Sequence, residues 1–227
     1  MTYPGGKAGN GVYQTIINQI PPHERYIEPF VGGGAVFRHK LPAESSIVID
    51  ADGDVVEKWR RFDVAAIHGC GIRYLETEPL KATDFVYADP PYLIATRRQH
   101  RPIYRCELED EDHGRLLAAI LDAPAMVAIS GYDNELYNDR LGGWRKVQFT
   151  ATTRGAPATE TLWMNYPEPT ELHDYRYLGQ DFRERERIAR KIRRWSNRLS
   201  SLPAMERNAI LAELYPARPG AIARTDD

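Results

Sequence analysis

The sequence predicts an α/β fold built on a mostly parallel, doubly wound sheet. Three observations carry that prediction. Short apolar strands alternate with helical patterns along the first two thirds of the chain. One strand, Arg25-Tyr26-Ile27, runs into a glycine-rich turn that opens a helix. Two further strands each end in an acid, Asp50 and Asp89.

Val12 to Ile20 reads as the first helix, with Ile16, Ile17 and Ile20 on one face. Strands are expected near 25–28, 46–50, 72–75, 84–88, 125–130, 144–150 and 161–166. Helices are expected near 34–40, 54–66, 110–122 and 133–141. The last two strands lie close together and suit an antiparallel hairpin at one edge. Tyr166-Pro167-Glu168-Pro169 reads as the domain boundary, giving a domain over 1–166 and a linker over 167–180. A basic helical hairpin follows over 181–215, and 216–227 reads as a disordered tail. Within 181–202, Ile188, Ile192, Trp195, Leu199 and Leu202 recur at heptad-like spacing among eight arginines and lysines. Pro203 ends that helix. Its basic face is either a solvated surface, a phosphate contact or a dimerisation element.

Composition sets the class. The 227 residues are 42% hydrophobic and carry a formal net charge of −2. No long apolar run suits a membrane span or a signal peptide. Two cysteines make no disulfide framework, and their spacing with six histidines gives no zinc pattern. A reducing cytoplasm, in a bacterial or phage-infected cell, is the expected location.

The chemistry is concentrated in Asp89-Pro90-Pro91-Tyr92, directly after the strand Asp84-Phe85-Val86-Tyr87-Ala88. An acid can accept a hydrogen bond from a planar amine. The prolines fix the backbone and remove donors, and the ring offers a face on which a base can stack. Alone, the tetrapeptide also suits a rigid loop. Upstream, Glu28-Pro29-Phe30-Val31-Gly32-Gly33-Gly34 forms a strand-to-helix turn where backbone can approach a ligand closely. Sixteen positions beyond Gly34, Asp50 ends the next strand, where such folds place a ribose-binding acid. Asp50 could instead cap the following helix, but Asp52 or Asp54 would serve that role equally.

With Tyr3-Pro4-Gly5-Gly6-Lys7, these motifs resemble the Dam-like, D12 class of DNA adenine-N6 methyltransferases, most closely the short prophage-encoded members. The likeness covers about residues 1–166. It implies a Rossmann-like class I methyltransferase sheet, with the C-terminal helical hairpin as an addition. It implies S-adenosylmethionine as cofactor, S-adenosylhomocysteine as product, and no metal. Tyr3, Pro4, Gly5, Gly6, Lys7, Glu28, Pro29, Phe30, Gly32, Gly34, Asp50 and Asp89 would bind the cofactor. Asp89, with the Pro90 carbonyl, would hold the adenine amino group, Pro91 would complete the rigid turn, and Tyr92 would stack on the flipped base. The partner would be DNA, and the chain a monomer or a homodimer through its C-terminal helices.

The chain departs from larger members in one respect. Only thirty-nine positions separate Asp50 from Asp89, too few for an inserted recognition domain. Relaxed or very short sequence specificity is therefore expected. Arg97, Arg98, Arg101, Tyr104 and Arg105, after the catalytic motif, and Arg154 are the expected DNA contacts. Cytosine N4 or adenine in RNA would suit the same motif. A nicotinamide enzyme would leave Asp89 to Tyr92 unexplained. A DNA-binding protein with a vestigial enzyme domain is the non-catalytic alternative.

Overall fold

A computed structural model describes residues 6–9, 11–98, 100–152 and 157–215. The chain divides into two compact units, 1–178 and 179–227.

The first unit holds a seven-stranded sheet. Its strands are β1 (Arg25–Glu28), β2 (Ser45–Asp50), β3 (Ala65–His68), β4 (Asp84–Ala88), β5 (Met126–Gly131), β6 (Arg145–Thr152) and β7 (Pro157–Met164). They lie in the order β3-β2-β1-β4-β5-β7-β6. β1 to β5 pair in parallel, and β7 runs antiparallel to both neighbours. This is the Rossmann-like class I methyltransferase sheet. Its direction of winding reverses between β1 and β4, which opens a crevice at their carboxyl ends.

Alternation along the strands builds two cores. Phe85 and Tyr87 of β4 face one side with Tyr26, Ala128, Leu162 and Met164. Val86 and Ala88 face the other with Ile27, Val127, Ile129 and Trp163. Every residue of β4 is buried, as a central parallel strand requires. Helices α1 (Val12–Ile17), α2 (Ala35–His39) and α3 (Gly53–Trp59) cover the first face through Ile16, Val36 and Trp59. Helices α4 (Gly71–Thr77), α5 (Asp110–Asp122) and α6 (Glu135–Arg140) cover the second through Ile72, Leu116 and Tyr137.

Two elements differ from the sequence reading. The expected strand at 72–75 is helix α4, and the third strand lies earlier, at 65–68, where the expected helix over 54–66 was still running. The physical reason is spacing. Ile72 and Leu75 are three apart, and as a helix both reach the core. Ala65-Ala66-Ile67-His68 pairs only with β2 at the sheet edge, where its weak strand propensity suffices.

The compact unit also runs past Tyr166, through most of the expected linker. Asp174 is fully buried, accepting from the Leu41 backbone amide at 3.1 Å and pairing with Arg176 at 2.7 Å. The His173 amide donates to the Ile20 carbonyl at 2.9 Å.

The second unit contains α7 (Phe182–Ser200), capped by the Asp181 carboxylate, and α8 (Ala204–Leu214), which begins after Pro203. Neither has a buried residue. The expected tail at 216–227 lies outside the described residues. No helix among the described residues is long and apolar enough to cross a membrane.

Candidate active site

The carboxyl ends of β1, β2 and β4 stand side by side because their registers align: Glu28 opposite Val48, and Ile27 opposite Val86. The turns that leave these strands enclose a cavity of about 230 Å³. Its lining includes Gly6, Lys7, Glu28, Phe30, Gly32, Gly34, Asp50, Asp89 and Tyr104. These sequence-named residues therefore share one cavity, whereas Pro29, Pro90, Tyr92, Arg97, Arg98, Arg101 and Arg105 are not part of its lining. Tyr3, Pro4, Gly5 and Arg154 lie outside the described residues.

The turn after β1 needs its glycines. Gly32 and Gly34 have φ of 44° and 53°, the left-handed region that a side chain rarely adopts. A Cβ on Gly34 would come within 2.3 Å of the Trp59 ring. Trp59 in turn donates its indole N–H to the Gly32 carbonyl at 3.0 Å, so α3 props the turn from beneath. Asp50 ties the same turn from the side. Its oxygens accept from the backbone amides of Gly32 and Asp52, both at 2.8 Å. The cap of α3 is Asp52, which accepts from the Asp54 amide. That leaves Asp50 at the pocket wall with remaining lone pairs.

Glu28 is 2% exposed, and Tyr26 donates to it at 2.7 Å. Burial pushes its pKa up to about 8, with the Tyr26 hydrogen bond opposing. Unfolded, the group ionises near 4.5, so the unfolded chain gives up its proton first. Stability therefore falls as pH rises from about 4.5 to about 8. In ligand-free protein, Glu28→Gln should melt above the wild type at pH 8 and lose that advantage below pH 4.5. The full difference is on the order of 3–5 kcal/mol. Melting temperatures of both proteins across pH check it, and a difference that does not change with pH would refute it.

Asp89 follows β4 directly. Its two oxygens accept from the Lys7 ammonium at 2.7 and 2.8 Å. Burial raises the Asp89 pKa and Lys7 opposes that rise. Burial works against the Lys7 charge, yet Asp89 and Glu160 outweigh it and hold the ammonium protonated. Tyr92 donates to Glu160 at 3.0 Å and lies 3.3 Å from Asp89. The Tyr132 ring meets the Tyr92 ring edge-on at 4.8 Å. Pro90 is buried beneath the turn, and Pro91 lines the cavity.

Glu160 was not singled out from the sequence. It lies on β7, is 5% exposed, and sits 3.4 Å from the Lys7 ammonium. Its only sequence signal is that it is the one charged residue of a strand whose last residues are apolar. Gly71 was missed as well, although it lines the cavity at the start of α4.

The segment after the motif departs from its expected role at Arg97. That side chain is 6% exposed. It donates to the Tyr92 carbonyl at 2.8 Å and to Glu107 at 2.7 Å. It is thus held inside the loop by protein partners rather than offered at the surface as a phosphate contact. Burial works against the Glu107 carboxylate, but Arg97 and the Tyr104 and Ile103 amides bring its pKa down to about 2. Tyr104 is turned into the cavity, under the Arg97 guanidinium at 5.3 Å. Arg105 is exposed and paired with Asp52 at 3.1 Å and Asp54 at 2.6 Å. Arg98 and Arg101 are exposed.

The lining fits a ligand that carries hydroxyls and an apolar part. Asp50 offers acceptor lone pairs, Glu28 a carboxyl that burial keeps protonated up to about pH 8, Phe30 and Leu108 give apolar walls, and the glycine turn offers bare backbone. No group of three or more His, Cys, Asp or Glu among the described residues could hold a metal ion.

Among solved structures, the chain is similar to a putative methylase from Haemophilus influenzae, at 14% identity over 68% of this chain and 84% of that one, TM-score 0.42. An rRNA methylase from Streptococcus thermophilus gives 10% identity, 68% and 92% coverage, and a TM-score of 0.46. Magnesium protoporphyrin IX methyltransferase from Synechocystis PCC 6803, with bound SAM, gives 12%, 68% and 74%, and 0.44. No curated protein is found to match the chain. Residues 3–66, which hold Tyr3 to Lys7, Glu28 to Gly34 and Asp50, match the family model of the D12 class N6 adenine-specific DNA methyltransferase, the family that the motifs resemble.

Proposed function

We propose that this chain methylates the exocyclic amine of a nucleobase, adenine N6 in DNA, with S-adenosylmethionine as donor. The observation that carries the reading is Asp89: a half-buried carboxylate at the end of β4, opening on a cavity walled by glycine backbone. When bound, the cofactor supplies an electrophilic methyl group on a sulfonium. Gly32, Gly34, Glu28, Phe30 and Asp50 hold it at the switch point of the sheet. Asp89 accepts a proton of the amine in a hydrogen bond, which draws the nitrogen toward tetrahedral geometry and frees its lone pair. The amine proton displaced by the incoming methyl leaves to solvent. Tyr92, braced by Tyr132, presents its ring to the flipped base. Much of the acceleration comes from positioning.

Arg98 and Arg101, exposed beside the motif, are the phosphate contacts of this reading, with Arg154. The interval from Asp50 to Asp89 is filled by α3, β3 and α4. That supports weak or very short sequence specificity.

The test is incubation with labelled S-adenosylmethionine and unmethylated duplex DNA, followed by nucleoside mass spectrometry. N6-methyladenine is expected. N4-methylcytosine, or label in RNA alone, would move the acceptor and keep the site. Cofactor binding with no transfer to any nucleic acid would overturn the proposal.

A further inference from the structure

α7 carries seven arginines and one lysine against two glutamates, a formal net charge of +6. The whole chain stands at −2, so its other residues sum to −8. Most of the chain therefore repels a polyanion, and any attraction has to be local. The cations of α7 are ordered. At about 3.6 residues per turn, Arg183, Arg187, Arg190, Arg194 and Arg198 fall on one stripe of the helix. Ile188, Ile192, Trp195 and Leu199 fall on the opposite stripe, and Glu184 and Glu186 lie outside the arginine stripe. All five arginines are exposed. Among the described residues α7 has one ion pair, Arg187 with Glu184 at 3.3 Å, so the other four arginines face water with no carboxylate partner.

We infer that the arginine stripe of α7 is a docking surface for the phosphate backbone of duplex DNA. The choice of DNA rests on the reading that this chain acts on DNA. Charge complementarity carries the rest. The guanidinium fork matches two phosphate oxygens at once. From Arg183 to Arg198 the stripe runs about 22 Å along the helix. A duplex carries one phosphate per about 1.7 Å of its axis, so that length offers more phosphates than the stripe has arginines. Contacts of this kind hold a duplex without reading its bases. They suit a chain with no room for an inserted recognition domain between Asp50 and Asp89. An anionic membrane surface is the competing polyanion, and α7 suits it less. A helix lying in a bilayer surface must bury its apolar face. Here that face is four side chains, and Ile188 and Leu199 are already half-buried.

The test is fluorescence anisotropy of a short labelled duplex of arbitrary sequence with the full chain, without cofactor, across a range of salt. For the wild type, log Kd should rise linearly with log salt. Arg183→Gln, Arg190→Gln and Arg194→Gln together remove three contacts and keep good helix formers in place. The slope should fall by about 2–3, and Kd at low salt should rise about tenfold or more. Arg183→Lys, Arg190→Lys and Arg194→Lys together keep the charge and should keep the slope. Arg60→Gln, Arg73→Gln and Arg140→Gln together remove the same formal charge from exposed positions of the first unit, and should leave the slope near the wild-type value. A wild-type slope in the α7 glutamine variant would overturn the docking surface. So would an equal loss in the Arg60, Arg73 and Arg140 variant, which would make the effect one of net charge alone. Wild-type binding to phosphatidylserine vesicles that the α7 glutamine variant loses, with its DNA slope intact, would assign the stripe to a membrane instead. Tighter binding to duplex RNA than to duplex DNA would overturn DNA as the occupant. None of these readouts needs methyl transfer. A wild-type chain that shows the expected slopes but methylates no nucleobase would overturn the reading of Asp89 and leave the stripe standing.

Discussion

Replacing Asp89 by asparagine should lower kcat for methyl transfer by roughly 10²–10³-fold while the fold and the cofactor site survive. The carboxylate is acceptor at both oxygens, so it can face the Lys7 ammonium and a proton of the incoming amine together. Asparagine offers one oxygen and turns an NH₂ group toward two donors, the Lys7 ammonium and the incoming amine. Stability should change little, because Lys7 keeps Glu160 at 3.4 Å and the side-chain volume is unchanged. Steady-state transfer, cofactor titration and thermal melts on one preparation separate these effects. Burial raises the Asp89 pKa against the pull of Lys7. A protonated Asp89 cannot accept, so wild-type transfer should fall on the acid side at a higher pH than an ordinary aspartate would give. Asp89→Asn turning over at the wild-type rate would remove Asp89 from the mechanism.

The parts of this site that were legible in sequence are those whose partners are close in sequence. Glu28 to Gly34 spell out a strand, a turn and a helix within one stretch, and Asp89 to Tyr92 carry acid, rigid backbone and ring together. Glu160 gave no such signal. Its partners, Lys7 and Tyr92, come from other segments, and only the antiparallel placement of β7 brings the acid to them. Arg97 shows the converse failure. A cluster of arginines after Asp89 to Tyr92 looks the same whether a guanidinium meets phosphate or, as here, a half-buried Glu107 and a backbone carbonyl. The strand misplaced at 72–75 has the same origin. Ile72-Arg73-Tyr74-Leu75 is too short for periodicity to decide, and packing of Ile72 and Leu75 on the sheet settles it as helix.

Gly71→Ala should be the most damaging single methyl group in the proposed cofactor cavity. Gly71 begins α4, and a Cβ there would lie 2.1 Å from the Pro29 carbonyl oxygen and 2.9 Å from its carbon. The obstacle is backbone, so no rotamer can relieve it. Either α4 shifts, disturbing Ile72 and Leu75 in the core, or the turn from Pro29 to Gly34 moves. That turn walls the cavity, so the same methyl should weaken binding of the proposed cofactor as well as the fold. Overpacking of this kind costs about 1–3 kcal/mol, which corresponds to a fall in Tm of roughly 2–10 °C for a chain this size. Gly114→Ala is the contrast. It lies within α5 with no atom within 4 Å of its added Cβ, and should gain about 0.5–1 kcal/mol from helix propensity. Calorimetry with cofactor titration on both variants checks the pair. If Gly71→Ala kept both its Tm and its cofactor affinity, the turn would be free to yield, and the close packing of α4 against it would not be what shapes the pocket.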